Sequence, residues 1–205
     1  MSLKRLAAAG LGLAAALLPQ AALAHSPFPG AEGFYLGILH PLSTPGQLLA
    51  LLAIGVMLGW RWRDAFARSW AGFAIAALVG IVLGQLEIRL DGEEVYLLLV
   101  AVIAATLSAL YPKGHVLAHV ILASAGGLLI GLLSTPDPGP RAATIITIAG
   151  SFVGANLTLF YVSGAVGWVR ERFTQHWVEV GLRVAAAWIA AVAVLMGALA
   201  FAGGG

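Results

Sequence analysis

Residues 33–59 read GFYLGILHPLSTPGQLLALLAIGVMLG, an apolar run long enough to cross a bilayer. Within it stand an ionisable residue, two prolines and a glycine: His40-Pro41-Leu42-Ser43-Thr44-Pro45-Gly46. Each proline removes a backbone donor and blocks an i→i−4 hydrogen bond, and the residue before it is pushed away from helical angles. The sequence therefore predicts a first span broken over 40–46, with His40 at its centre. Freed backbone groups cannot face lipid, so they must be buried in protein or line a polar cavity. A break carrying His40, Thr44 and Gln47 is the arrangement expected of a small-ligand or ion site, because ionisable groups inside a membrane are costly and kept for use. The competing reading is a kinked helix whose His merely meets the carbonyls of a neighbour.

Composition sets the class. Of 205 residues, 60% are hydrophobic and 10% charged, and the mean hydropathy is +0.96, outside the range of soluble domains. The expected fold class is all-α, an integral membrane bundle of six transmembrane helices. The formal charge of +2 comes from Lys4 and Arg5. The remaining basic and acidic residues balance, which implies no nucleic-acid partner. With no cysteine in the chain, disulfides, thiolate metal sites and cysteine nucleophiles are excluded. Any metal must be held by imidazole, oxygen or the amino terminus.

Residues 1–24 read as a cleavable signal peptide, with Lys4 and Arg5 before an apolar core and Ala22-Leu23-Ala24 as a small-x-small site. Residues 25–205 then form one transmembrane domain. Cleavage after Ala24 would make His25 the mature N-terminus, where α-amine and imidazole offer a chelating pair; a solvated tail residue explains it equally well. Five more apolar runs follow at roughly 65–85, 95–111, 115–134, 142–167 and 178–202. Six spans place both mature termini on the outer side. The inner connections then carry Arg61, Arg63, Arg68, Lys113, Arg170, Arg172 and Arg183, and the outer ones only Arg89 and Arg141, as the positive-inside rule requires. Trp60, Trp62, Trp70, Trp168 and Trp177 are expected as interfacial anchors at the inner boundary.

Other features carry less. Small residues at 71–77 and 124–127, and Gly150 with Gly154, are packing signals. Leu42-Ser43-Thr44-Pro45 is echoed by Leu133-Ser134-Thr135-Pro136, a faint trace of an inverted repeat. His115 and His119 share a helix face; such a pair can hold a metal or present imidazoles to a haem, although one interfacial and one packing His account for it too. Asn156, Thr158, Tyr161 and Ser163 are expected to hydrogen-bond between helices. The acidic loop 87–94 could concentrate cations, or simply be solvated. No enzyme is indicated: the fourth span offers only Ala123-Ser124-Ala125-Gly126 as a nucleophile loop, with no later membrane His, and neither H-E-x-x-H nor a P-loop occurs.

Ala24-His25, Gly33-Phe34, Gly37, His40-Pro41, Leu48-Leu49-Ala50 and Gly55, in that order, resemble the HupE/UreJ family of small bacterial membrane proteins. That family pattern is a signal peptide ending in Ala-His, then Gly-Phe-x-x-Gly-x-x-His-Pro, then five further spans. The resemblance implies an inner-membrane permease for a divalent transition-metal ion, of the nickel or cobalt type used by hydrogenase and urease. Of the family's ligand positions it carries over His40 and His25; the reading of the residues then takes His40 as central ligand, Thr44 or Gln47 as oxygen donors, His25 for capture and His119 for release. The transported Ni²⁺ or Co²⁺ would be cargo, and no resident cofactor is expected. The implied partners are the lipid bilayer, the metal ion and a metalloenzyme-maturation partner or a second copy of the chain. The chain also departs from the pattern. Where the family continues x-x-Gly-x-Asp-His, this sequence has Gly46 and Gln47 in the last two positions. Its Ala125-Gly126-Gly127-Leu128 does not match the family's His-x-His-Gly, and Tyr161 stands for the fifth-span His. The alternative function is a non-transporting scaffold or assembly factor for a metalloenzyme.

Overall fold

The computed structural model describes residues 31–88, 90–134 and 140–203. The leader and His25 lie outside these residues, as do Arg89 and the Thr135-Pro136 half of the repeat echo. The described chain forms seven helices: α1 (Ala31–Ser43), α2 (Pro45–Gly59), α3 (Phe66–Gln85), α4 (Glu93–Leu110), α5 (Val116–Leu133), α6 (Arg141–Arg172) and α7 (His176–Gly203). Helices α3 to α7 are each long and apolar enough to span a membrane, and the bent pair α1–α2 brings the number to six if counted as one span. The protein is thus an all-helical membrane bundle.

The first span is broken, but more sharply than the prolines suggest. Residues 40–43 stay helical, and the two segments meet at 74° around Thr44. Pro41 is tolerated because α1 ends two residues later. Thr44 takes the extended conformation (φ −95°, ψ 108°) imposed by the following proline, and Pro45 starts α2 where its missing N–H costs least. The Thr44 amide still reaches the His40 carbonyl at 3.1 Å, and the Ser43 and Thr44 hydroxyls both donate to the same oxygen at 3.0 Å. One carbonyl therefore receives three donors at the bend.

Helix α2 is the axis of the bundle and touches every other helix. Its 15 residues include Ala50, Leu51, Ala53 and Ile54 at 0% exposure, the all-round burial expected of a helix with no polar face. Around it, helices separated by one or more spans pair closely. A Cβ on Gly127 or Gly131 of α5 would strike the Phe73 or Ala77 carbonyl of α3. Likewise Gly150 and Gly154 of α6 press on the Phe34 and Ile38 carbonyls of α1. In each pair a four-residue step on one helix matches a four-residue step on the other, so α3–α5 and α1–α6 run parallel. Lipid tails give apolar helices no hydrophobic reason to associate, and backbone-level contact through glycine supplies it by dispersion instead. Helix α7 lies against α4 and α2 and is otherwise outward-facing, with Trp188 and Leu199 exposed.

Except for Arg141 at the start of α6, the basic residues among those described gather at one end, where α2, α4 and α6 finish. Arg170 donates to the Trp60 carbonyl at 2.7 Å, Arg61 to the Gly114 carbonyl at 2.7 Å, and Arg183 to the Ala109 carbonyl at 2.5 Å. These cations satisfy carbonyls at or just beyond the C-terminal ends of α2 and α4, where the helix dipole favours them. Trp60 departs from its expected role as an anchor. It is buried, with the Arg170 guanidinium 4.3 Å above its ring, whereas Trp168 and Trp177 are exposed. The polar residues of α6 also behave differently from expectation: Asn156, Thr158 and Ser163 bond to carbonyls four residues back in their own helix.

Gly127→Ala is expected to lower stability by about 1–3 kcal/mol, because the methyl would meet backbone. Gly181→Ala, placed in open space on α7, should be neutral or stabilising by up to about 1 kcal/mol. Thermal unfolding of both variants in detergent checks the contrast.

Candidate functional site

The break between α1 and α2 holds one of the buried polar atoms left without a partner. Pro45 has no N–H to give the Pro41 carbonyl, and Pro41 is itself buried. Gln47, in the first turn of α2, is 2% exposed, and its Oε1 has no hydrogen-bond partner. Thr44 makes no side-chain cap, and the first turn of α2 contains no acid. Glu94 of α4 supplies one instead: its Oε1 lies 3.2 Å from the position a Cβ on Gly46 would occupy. A side chain at 46 would crowd that exposed carboxylate, which stands beside the positive end of α2.

Glu94 also fixes the depth of the break. It belongs with Glu93 to the first turn of α4, directly after the loop bearing Glu87 and Asp91. Helix α2 is about 22 Å long at ~1.5 Å per residue, shorter than ~30 Å of hydrocarbon. The polar break therefore sits toward the acidic-loop end and not at the middle of the span. Below Gln47 the path is closed by Leu51 and Ile54, both fully buried.

The site residues expected from the sequence separate. Gln47 and Thr44 lie at the break, Gln47 inside and Thr44 half-buried. His40 is exposed on the last turn of α1. The buried stripe of α1 runs through Gly37 and Pro41, four residues apart, and His40 stands about 100° away from Pro41 around the helix. Its backbone carbonyl, not its imidazole, holds the break together. His119 is at the opposite, basic end, 2% exposed, with Nδ1 3.0 Å from the His115 carbonyl and Nε2 without a partner. It shares a cavity with Arg61 and Lys113, whose charges oppose a cation there. Among the described residues no three His, Cys, Asp or Glu side chains converge as metal ligands. Glu94 is the site residue that sequence reasoning missed. Its only signal was membership of the acidic loop, and its approach to Gly46 depends on how α4 packs against α2.

At the basic end, Arg61 bridges two connections, donating to Gly114 and pairing with Asp64. That hydrogen bond holds the Asp64 carboxyl below the usual carboxylate range. The link is therefore complete above the ordinary carboxylate pKa and is lost only as pH falls through the lowered value.

Gln47→Leu should raise stability by about 1–3 kcal/mol, because it removes a buried acceptor without a partner and keeps the side-chain volume. Thermal unfolding of the purified variant measures this. A loss of similar size would show that Oε1 is satisfied within the fold.

The family described as HupE / UreJ protein matches residues 13–199. No curated protein and no solved structure matches the chain. With the match running over nearly its whole length, the chain belongs to the HupE/UreJ family.

Proposed function

We propose that this HupE/UreJ-family protein is a permease for a divalent transition-metal ion of the nickel or cobalt type, set in the bacterial inner membrane. The basic end would face the cytoplasm and the mature termini the periplasm, in keeping with the positive-inside rule. The observation that carries the reading is the buried, unpartnered Gln47 Oε1 at a break in a membrane span. Polar atoms left unanswered at such a place are characteristic of ion pathways.

The donors favoured there are oxygens: Gln47 Oε1, the Pro41 carbonyl and the Glu94 carboxylate, with Thr44 beside them. Glu94 offsets the positive end of α2, which would otherwise repel a cation. An oxygen set suits Mn²⁺ or a partly hydrated Co²⁺ better than an imidazole-seeking Ni²⁺. The cation would enter from the acidic loop, and its passage inward would require α2 to shift against α4 and α6, because Leu51 and Ile54 close the way. His40, exposed on α1, would take no direct part at the break, and His119 would not serve release while Arg61 and Lys113 flank it.

A scaffold or assembly factor for a metalloenzyme is the second reading. It is favoured by the lack of a convergent ligand trio among the described residues and by the outward face of α7. Vesicles or cells carrying the protein should accumulate labelled Co²⁺, Ni²⁺ or Mn²⁺. Gln47→Leu should lower the initial rate by about tenfold or more, equivalent to ~1.4 kcal/mol, while His40→Ala should leave it nearly unchanged. Uptake that ignores Gln47→Leu and disappears with His40→Ala would return the imidazole to the centre. A scaffold would accumulate no metal and would co-purify with its partner whichever residue is changed.

A further inference from the structure

Helix α1 stands beside the start of α2, not above it. Helix α6 touches both segments and serves as a ruler. Gly55 and Gly59 of α2 press on Val162 and Val166, while Phe34 and Ile38 of α1 meet Gly150 and Gly154. From Val166 back to Gly154 and Gly150 is about 18 and 24 Å, at ~1.5 Å per residue. By the same rise Pro45, the first residue of α2, is ~21 Å from Gly59. Phe34 and Ile38 therefore bracket the level at which α2 begins. Had α1 continued the line of α2, Ile38 would stand ~10 Å beyond Pro45, near Ile145 instead of Gly154. The angle of 74° between the two helices agrees. Over the 13 residues of α1 it leaves only ~5 Å of rise along the α2 axis.

That level is an edge of the hydrocarbon layer. Glu94 is exposed and lies beside Gly46. Helix α4 has 18 residues, or ~27 Å, so its first turn marks one boundary of the apolar layer. Helix α1 is thus held at this boundary and runs nearly along it. Gly37 and Pro41 form its buried side, Gly37 lying against the backbone of Thr147, Gly150 and Ser151. On the other side Tyr35, Leu36 and Leu39 are 65%, 66% and 55% exposed, with Leu42 beside them. No Asp, Glu, Lys or Arg occurs from Gly33 to Ser43. Aliphatic and aromatic side chains presented at this depth partition into the boundary between headgroups and acyl chains. A soluble partner would need the face to stand above that boundary, and the α6 ruler places it level with it.

We propose that α1 is an in-plane anchor, whose Tyr35, Leu36 and Leu39 face seats in the lipid leaflet on the acidic-loop side. Helix α2 then crosses the bilayer by itself, and the number of crossings stays at six. The anchor holds the break, with Gln47 in it, at the membrane surface. The proposal rests on the membrane fold and not on the nature of the transported ion.

The chain has no cysteine, so single-cysteine variants of the full-length protein carry a spin label without background. Tyr35→Cys and Leu42→Cys, both exposed on α1, are compared in phosphatidylglycerol–phosphatidylcholine vesicles with Ile75→Cys and Val82→Cys, which have the same spacing on the exposed face of α3. All four positions are exposed, so the fold is kept. Depth is read from collision with oxygen, which concentrates in hydrocarbon, against a water-soluble chromium chelate. The α3 pair should differ in depth by about 10 Å. The α1 pair should differ by less than half of that, with both labels about 5–10 Å into the headgroup and acyl boundary. A difference of half the α3 value or more would show α1 descending as part of a span and overturn the proposal. Two labels open to the chelate and shielded from lipid would overturn it as well, and would make the face a docking surface for a soluble partner.

Discussion

A proline inside a membrane span interrupts the backbone ladder from one half to the other, and the interior of a bilayer offers no water to complete it instead. In this protein that constraint falls on Pro45, at the head of the helix that every other helix touches. Three donors converge on the His40 carbonyl at the turn, while the Gln47 amide oxygen is left without a partner. The bundle thus tolerates a polar defect at its axis.

The remaining packing makes that tolerance affordable in structural terms. The parallel pairs α3–α5 and α1–α6 approach to backbone distance through glycine, with no need for interhelical hydrogen bonds. The Thr158 and Ser163 hydroxyls and the Asn156 amide turn back on their own helix, whereas the Ser151 hydroxyl reaches a neighbour, donating to the Ser134 hydroxyl at the end of α5 at 3.0 Å. Charge is confined to the ends. At one end arginines close the carbonyl ends of α2 and α4; at the other Glu94 meets the amide end of α2. Both placements follow the direction of the helix dipole.

Much of this was legible in the chain. Apolar runs of bilayer length mark the spans, and Pro41 with Pro45 marks the break. Gly150 and Gly154 mark a contact surface, although not its partner, because the matching carbonyls of Phe34 and Ile38 leave no trace in residue type. The central position of α2 was not legible, since every span has a similar composition and burial is decided by neighbours. His40 drew attention by its chemistry alone. Its exposure follows from the Gly37–Pro41 stripe, a signal that was present in the spacing but outweighed by the cost assigned to a membrane imidazole. Glu94 was legible only as a member of the acidic loop, because it reaches Gly46 across 48 residues of chain through the packing of α4 on α2.

The central claim is that oxygen atoms at the break, Gln47 Oε1 foremost, receive the cation. X-ray absorption spectroscopy on purified protein loaded with Co²⁺ and then desalted examines those atoms directly. The account predicts retained metal with an oxygen shell, no outer-shell scattering from imidazole rings, and loss of the bound metal in Gln47→Leu. Imidazole scattering around the ion, or an unchanged spectrum in that variant, would contradict it.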